Sequence, residues 1–378
     1  MPESDSEVPL LERAELPHLS SIPKDAREPL EVLSRDFGVA EVELQRQEAL
    51  LMRPLYARRD ELIRTKLQEA DFWPRVFANS PAEVDTHIQP TDAQIIGSCL
   101  KNLTVERFAV NEKGEGEPRS LRFVFEFATG EENRWFEDSK IVKEFHWRKQ
   151  IVNSPGGQRS VWEGLVSEPV RIKWKKDMDP TRGLLDAACD LADAEKALLK
   201  KESKQKLTAE ERRKLPEFEA LVKKTGQFEQ DVESEGGTDD DGSESSLSLT
   251  SFFAWFGYRG RDVTESESEL AAKEESKIWE EVLKRTVDGE EEEEEDNDDD
   301  EEGSLDDVEI FPDGESLAFS LADDLWLNAL KYYAQSYDIP DDLDADLSDL
   351  EDEDEESNGE EEEEDEEEKM RPRKKART

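Results

Sequence analysis

An apolar stripe is the first strong pattern along the chain. Beginning just after Glu28, large apolar residues recur at three-, four- and seven-residue steps, which is the spacing of one side of an α-helix. The stripe consists of Leu30, Leu33, Phe37, Leu44, Leu51, Leu55 and Leu62. It predicts a helix over about 28–69, on the order of 60 Å long, in a segment 28–70. Pro54 in its interior predicts a kink.

The stripe also predicts a partner, because a small domain cannot bury one side of so long a helix. The simplest partner is the same helix in a second copy of the chain. The seven stripe residues are therefore the predicted interface of a homodimer. The alternative is that the stripe folds back onto the rest of its own chain.

Strand patterns follow the helix. Between 121 and 128, apolar residues alternate with other residues at a period of two, and the same alternation recurs between 170 and 175. Further strands are predicted at 103–110 and 141–147. Glycine and proline place hairpin loops at 112–118 and 153–158. Together these segments predict an antiparallel meander of about four strands.

Helical patterns return after the sheet. They cover 184–201, a charged stretch to 214, 216–224, 269–285 and the end of a last folded piece at 310–336. The aromatic run 251–256 is apolar enough to be buried, and the connector 71–81, with two prolines and three aromatic residues, is predicted to be bent and buried. The fold class is α+β, with a helical stalk followed by a sheet packed with helices.

Charge divides the chain into a nearly balanced body and three acidic tracts. The formal net charge is −49. Residues 229–246 carry eight acidic and no basic residues, 288–315 carry eighteen and none, and 341–378 carry twenty against six. Such tracts are too poor in apolar residues to fold. A flexible polyanion repels nucleic acid and attracts polycations, so the predicted partner is a very basic protein, without direct specific DNA binding.

The remaining composition narrows the classes of function. Two cysteines indicate a reducing compartment, and neither a membrane span nor a signal peptide is predicted. The three histidines and two cysteines lack metal-site spacing, and no cofactor fingerprint occurs, so we predict no enzyme, no metal and no cofactor. The C-terminal bases predict a nuclear localisation signal read by an import receptor, or alternatively a tail that folds back on the acids. They are Lys369, Arg371, Arg373, Lys374, Lys375 and Arg377.

Six motifs follow one another in a recognisable order. They are Arg53-Pro-Leu-Tyr-Ala-Arg-Arg-Asp-Glu-Leu-Ile63, Phe72-Trp-Pro-Arg-Val-Phe77, Asn133-Arg-Trp-Phe-Glu-Asp-Ser-Lys-Ile-Val-Lys-Glu-Phe145, Ile172-Lys-Trp-Lys175, Ser251-Phe-Phe-Ala-Trp-Phe256 and Leu325-Trp-Leu-Asn-Ala-Leu-Lys-Tyr-Tyr333. In this order they resemble the nucleosome assembly protein family, and 72–77 resembles its SET-like branch. The chain departs from the family pattern at Asp138 and Ala329, and its stretches 177–250 and 257–322 are longer.

The resemblance implies a headphone-shaped homodimer whose earmuff domains bind core histones and assist nucleosome assembly and disassembly in the nucleus. Composition and charge indicate a disordered 1–27, acidic insertions at 229–246 and 288–307, an acidic tail 341–368 and a localisation signal 369–378. With the resemblance, they predict a dimerisation helix 28–70 and an earmuff domain 71–340. Two alternatives stay open. One is an inhibitor or scaffold of a nuclear phosphatase or acetyltransferase, and the other is a nuclear chaperone for other basic proteins.

Candidate histone-binding residues come from two sources. Acidic residues in or near the predicted strands can supply specificity from the folded body, and those in the acidic tracts can supply many weak, salt-sensitive contacts. The first set is Glu126, Glu131, Glu132, Glu137 and Asp138, and the second is Glu290, Asp298, Glu351, Asp354 and Glu360. Which pair of core histones is preferred does not follow from the sequence.

Overall fold

A computed structural model describes residues 24–67, 70–153, 159–234, 250–288 and 308–337. Its first element is the long helix α1, Lys24–Lys66, which runs on without a break through Pro29 and Pro54. The helix starts before the predicted residue 28, so 24–27 are helical rather than disordered. The rest of that N-terminal segment lies outside the described residues.

Three short helices connect α1 to the sheet. They are α2 (Phe72–Ala78), α3 (Ala82–Asp85) and α4 (Pro90–Cys99). The aromatic side chains of Phe72, Trp73 and Phe77 are at most 3% exposed, as the apolar connector predicts. The Asp92 side chain accepts from the backbone N–H of Gln89 at 3.0 Å, which closes a capping box at the start of α4.

The sheet is an antiparallel meander of four strands in the order β1-β2-β3-β4. The strands are β1 (Leu100–Glu106), β2 (Leu121–Phe127), β3 (Lys140–Asn153) and β4 (Arg159–Ser167). Odd-numbered side chains of β2 and β3 form the core face, where Phe123 and Phe145 are 0% exposed. The α+β class is confirmed.

The predicted strand at 170–175 is wrong, and the fourth strand is β4 instead. Pro169 supplies no backbone N–H, and the Val170 N–H donates to the Phe256 carbonyl at 2.8 Å rather than to a strand. Trp174 forms only an isolated bridge with Phe136. The alternation at 170–175 therefore reflects a segment that buries Ile172 and packs the partly buried Val170 and Trp174 against the aromatic core. The first strand also lies earlier than the predicted 103–110.

Helices follow the sheet and cover its core face. They are α5 (Leu184–Glu202), α6 (Ala209–Arg213), α7 (Pro216–Ser234), a 3₁₀ helix (Phe252–Gly257), α8 (Glu265–Asp288), α9 (Gly314–Phe319), a π-helix (Ser320–Trp326) and α10 (Ala329–Gln335). The helix α7 runs past the predicted end at 224, because Phe228 and Val232 are 6% and 8% exposed and pack on the core. The beginning of the predicted acidic insertion 229–246 is consequently helical.

The 3₁₀ helix supplies the centre of the core. Phe252, Phe253, Trp255 and Phe256 are at most 1% exposed, as their apolar run predicts. The Trp255 ring lies 5.0 Å from the Phe123 ring in an edge-on arrangement. Each such aromatic pair stabilises the fold by about 0.5–1.5 kcal/mol beyond the burial of its area. This packing joins the segment after the first acidic tract firmly to the sheet.

The β3–β4 hairpin extends beyond the reach of β2, so its outer backbone N–H groups need other acceptors. Groups outside the sheet cap several of them. The Trp147 N–H donates to Ser120 Oγ, Lys149 N–H to Ser268 Oγ, Leu165 N–H to Glu315 Oε1 and Ser167 N–H to the Arg259 carbonyl, at 2.8–3.1 Å. The stem of the hairpin is thereby satisfied without a further strand.

Candidate functional site

The second face of the sheet carries the even-numbered side chains of β2, β3 and β4. Arg122 and Glu126 on β2 are partly exposed there, and Val124 between them is 9% exposed. The strand register places Glu106 of β1 and Glu144 of β3 on either side of Arg122. We call this surface, with these residues, the open sheet face.

A charged triplet lies at the middle of the open sheet face. The Arg122 guanidinium donates to Glu144 Oε1 at 2.7 Å and to Glu106 Oε2 at 3.2 Å. Desolvation opposes the charge of Arg122, but the two carboxylates raise the pKa of Arg122 above its ordinary value. Both carboxylates keep 39–50% of their side-chain surface exposed. They can therefore still accept from a cationic ligand on the solvent side.

His146 extends the triplet along β3. Its Nε2 lies 3.9 Å from Glu144 Oε2, and its ring meets the Phe108 ring edge-on at 5.4 Å. Desolvation, followed by the positive charge of Arg148, lowers the pKa of His146. The imidazole is therefore largely neutral at physiological pH and adds no positive charge to this face.

The five predicted acidic residues of the body have different surroundings. Glu126 pairs with Arg64 of α1 at 3.3 Å, and Glu132 lies 3.7 Å from Lys101. The Asp138 side chain is held in position, because its Oδ2 accepts the backbone N–H of Lys173 at 2.7 Å. Glu131 and Glu137 are exposed.

The other predicted residues cannot be placed. Glu290, Asp298, Glu351, Asp354 and Glu360 lie outside the described residues, and so do the six bases of the predicted localisation signal. The described part of the site is therefore the open sheet face and the helix α1.

Glu106 and Glu144 were missed by the sequence reasoning. The period-two alternation of β2 already places Arg122 on the open sheet face. The alternation does not give the register of the strands. Only the pairing of Glu106 and Glu144 with Arg122 shows that two carboxylates flank this arginine. Glu106 already lies in the predicted strand 103–110, so only its pairing with Arg122 was missing.

The apolar stripe of α1 faces away from the domain. Its side chains expose between 48% and 73% of their surface in Leu30, Leu33, Phe37, Leu44, Leu51, Leu55 and Leu62. At 3.6 residues per turn, all seven lie within about 60° of one another around the helix axis. The stripe therefore does not pack onto the described part of its own chain.

A different side of α1 holds the helix to the domain. Ile63 is 2% exposed, and the Tyr56 and Trp326 rings lie 4.1 Å apart. The Arg59 guanidinium donates to the Trp326 carbonyl at 2.6 Å and lies 4.3 Å from the Trp326 ring centroid. Farther along, the Arg35 guanidinium lies 5.2 Å from the centroid of Trp279 on α8. The stripe is presented by a helix whose neighbouring side is fixed to the domain.

A buried lysine organises the sheet beneath the open face. Lys143 is 0% exposed, and its Nζ donates to the carbonyls of Glu168, Phe256 and Tyr258 at 2.8, 3.0 and 2.8 Å. Desolvation lowers the pKa of Lys143 to about 7, while the three carbonyls favour the ammonium form. Lys143 thereby joins β3 to the segments that precede α5 and follow the 3₁₀ helix.

Asp92 and Ser251 make a second buried connection. Asp92 is 0% exposed and accepts from the Ser251 hydroxyl at 2.5 Å and from the Phe252 N–H at 2.7 Å. Desolvation raises the pKa of Asp92, and the three hydrogen bonds that it accepts oppose this shift. The contact fixes the start of the aromatic core helix to the first turn of α4.

Within the described ranges, no group of three or more His, Cys, Asp or Glu side chains has the arrangement of a metal site. None of the described helices is long and apolar enough to cross a membrane.

The order of the elements and the buried motif residues are those of a known family. The family model "Nucleosome assembly protein (NAP)" matches residues 24–336. The chain belongs to the nucleosome assembly protein family. This confirms the resemblance found in the sequence. The match ends just before the acidic tail, so it covers the long helix, the sheet and the helices that follow.

Two curated relatives are similar over part of the chain. One, from Schizosaccharomyces pombe, carries the name nucleosome assembly protein C36B7.08c and is 31% identical over 152 residues, covering 40% of this chain and 57% of the relative. Protein SET of Drosophila melanogaster is 29% identical over 135 residues, covering 36% of this chain and 43% of the relative. The chain thus spans about half the length of the curated relatives that it matches.

Solved structures with similar folds include Ccp1 and the Vps75 histone chaperone. The Ccp1 structure is 22% identical with a TM-score of 0.45, covering 84% of this chain and 98% of Ccp1. The Vps75 structure is 18% identical with a TM-score of 0.41, covering 82% of this chain and 98% of Vps75.

Proposed function

We propose that the protein is a non-enzymatic histone chaperone that promotes nucleosome assembly and disassembly. The observation that carries the proposal is the family match over 24–336 in a chain with a net charge of −49. Core histones are rich in lysine and arginine, and their attraction to DNA weakens when other anions compete. A folded body with attached polyanions can hold histones until DNA replaces it.

The open sheet face is the proposed source of specificity. Acidic tracts alone bind any polycation, because their contacts are numerous, weak and salt-sensitive. Glu106 and Glu144 have fixed positions on either side of Arg122, so they can select a basic side chain by its position. We propose that Glu126, Glu131, Glu132 and Glu137 act with them. Asp138 serves the fold through its bond to the Lys173 backbone.

The proposed assembly is a homodimer in the nucleus. The exposed stripe of α1 supports a second copy as its partner, and the segment 28–70 then acts as the dimerisation unit beside an earmuff domain 71–340. The six bases of 369–378 support import by a nuclear receptor. If a fluorescent protein fused to residues 369–378 stays in the cytoplasm, the proposed import signal is wrong.

Histone protection and deposition test the main proposal. At physiological salt, the full chain is expected to prevent aggregation of core histones with DNA and to deposit them on relaxed plasmid, measured as supercoils after topoisomerase treatment. Replacing Glu106 and Glu144 by Gln should weaken histone binding by about tenfold. The same charge change off the face, Glu61→Gln with Glu83→Gln, should alter binding less than about twofold. No protection by the wild-type chain would refute the proposal.

The same experiments separate the two alternative functions. Equal affinity for core histones and ribosomal proteins at rising salt would favour a general chaperone for basic proteins. Inhibition of a purified nuclear phosphatase or acetyltransferase with a peptide substrate, in the absence of histones, would favour a regulator. Titrating each pair of core histones separately determines which pair is preferred.

A further inference from the structure

A cavity of about 480 Å³ lies between α1, the C-terminal end of β1 and the π-helix. Its volume is in the range of sites that bind a small ligand or a single long side chain. Met52, Tyr56 and Trp326 line it with apolar surface. The two rings are held in place, since the Arg59 guanidinium stacks 4.9 Å from the Tyr56 centroid and 4.3 Å from the Trp326 centroid.

Carboxylates surround this apolar lining. Glu48, Glu106 and Asp323 all line the cavity, and Glu106 also belongs to the open sheet face. The described structure gives Glu48 no cationic partner, whereas Asp323 accepts from Arg107 at 2.6 Å with 48% of its side chain still exposed. A cation entering the cavity would therefore find at least one carboxylate that is not already paired.

The arginines of the cavity wall are already engaged. Arg53 donates to the Val110 carbonyl, and Arg107 donates to the Pro118 carbonyl at 2.7 Å as well as to Asp323. Both guanidinium groups keep their positive charge, but these hydrogen bonds are made to backbone carbonyls and Asp323 and not to Glu48. The three carboxylates of the lining against these two arginines leave one negative charge in excess, which a cationic group from outside can balance.

An unpaired acceptor gives a second, independent indication of the ligand. Gln45 lines the cavity, and its amide oxygen is buried without a hydrogen-bond donor in the described structure. A buried acceptor that lacks a donor costs about 1–3 kcal/mol. An ammonium or guanidinium group carries several N–H donors and no acceptor, so it complements both this oxygen and the carboxylates.

We propose that this cavity binds one lysine or arginine side chain of a basic partner. The aliphatic stem packs on Met52, Tyr56 and Trp326, while the charged head reaches Glu48 and the Gln45 amide oxygen. The inference rests on the proposed function for the identity of the partner, a histone. Its chemistry, a long side chain with a cationic end, follows from the cavity alone.

The position of the cavity suits a bound partner in a dimer. The cavity residues of α1 centre about 100° around the helix from the apolar stripe, at 3.6 residues per turn. A second copy packed on the stripe would leave the cavity mouth on the flank of the paired helices. Because Glu106 belongs to both surfaces, a partner lying across the open sheet face could insert a side chain into the cavity.

Small probes test the cavity without a histone. The full chain labelled with ¹³C at its methionine methyl groups is titrated with Nα-acetyl-lysine methylamide, Nα-acetyl-arginine methylamide and the neutral Nα-acetyl-norleucine methylamide. We expect the Met52 methyl signal to shift and saturate with the two cationic probes and not with the neutral one. The Met178 signal is the internal reference and should not move.

Matched variants locate the binding. Glu48→Gln should weaken binding of the lysine probe by about fivefold, whereas Glu61→Gln, the same change on another side of α1, should leave it unchanged. Ala49→Leu narrows the cavity and should abolish the response without changing the circular dichroism. Equal shifts of Met52 and Met178, saturation by the neutral probe, or equal affinity in Glu48→Gln and wild type would each overturn the proposal.

Histone binding by the same samples separates the two claims. If histones bind but the Met52 signal does not respond to the cationic probes, the cavity inference fails and the proposed function stands. If the Met52 signal responds but histones are not bound, the proposed function fails and the cavity is a site for another basic ligand.

Discussion

Replacing Leu44 and Leu51 together by glutamate should convert the proposed dimer into monomers. These leucines expose 65% and 73% of their surface and lie near the middle of the stripe. When two copies of the stripe pack along their full length, the middle of each stripe faces the middle of the other. The double variant therefore places four carboxylates where four leucines would pack.

The size of the effect follows from the exposed surface. Complete burial of a leucine contributes about 1.5–3 kcal/mol, so burying the exposed part of one stripe residue contributes about 1 kcal/mol. Two copies of the seven-residue stripe then contribute on the order of 14 kcal/mol, against an association cost of about 4–15 kcal/mol. Loss of four leucines removes about 4 kcal/mol, which raises the dissociation constant by about a thousandfold before any charge effect.

With an association cost at the lower end of that range, the net of about 10 kcal/mol corresponds to a dissociation constant on the order of 0.05 μM, which a thousandfold loss raises to on the order of 50 μM. Sedimentation equilibrium at about 1 μM, between these two values, measures the change. The wild-type chain should sediment at twice its 43.3 kDa mass, and the double variant should sediment at that mass. The control carries the same two added charges at exposed residues outside the stripe, Val222→Glu with Leu270→Glu, and should remain a dimer. A dimeric Leu44/Leu51 variant, or a monomeric wild type, would refute the reasoning.

Three further substitutions test the buried polar groups by urea denaturation. Lys143→Met leaves three carbonyls without a donor and should lower the free energy of unfolding by about 2–4 kcal/mol. Because the folded pKa of Lys143 is about 7 and its ordinary value is 10.5, the wild type should gain stability between these pH values, and Lys143→Met should flatten that rise. Asp92→Asn should cost about 1–3 kcal/mol, because the amide supplies one acceptor oxygen for three donors. Glu195→Gln should cost about 3–5 kcal/mol, because Arg212 and Arg259 lose a shared buried carboxylate at 2.6–2.7 Å. Unchanged midpoints would contradict each expectation.

Periodicity was sufficient where one local pattern decides the element. The stripe of α1 repeats at the period of a helix, and the odd-numbered phenylalanines of β2 repeat at the period of a strand. The predicted helix and the predicted strand are both confirmed. The run 251–256 was predicted to be buried from apolarity alone, and it is. These features depend on side chains within a few residues of one another.

Long-range packing explains the wrong or incomplete predictions. The segment 170–175 alternates like a strand, but its backbone bonds to the aromatic core instead of to a strand. The helix α7 continues into acidic sequence because Phe228 and Val232 are anchored in the core. The Glu106–Arg122–Glu144 triplet required the register of three strands, which no local window contains.

The capped stem of the β3–β4 hairpin affects how the protein behaves at high concentration. An open strand edge invites pairing with the edge of any other chain, which leads to aggregation. Here hydroxyl groups of Ser120 and Ser268 and a carboxylate of Glu315 occupy the positions where a foreign strand would dock. Association through these positions of the sheet edge is thereby disfavoured. In a crowded solution, the proposed dimer through the stripe of α1 would form without competition from strand pairing here, and the open sheet face would stay accessible.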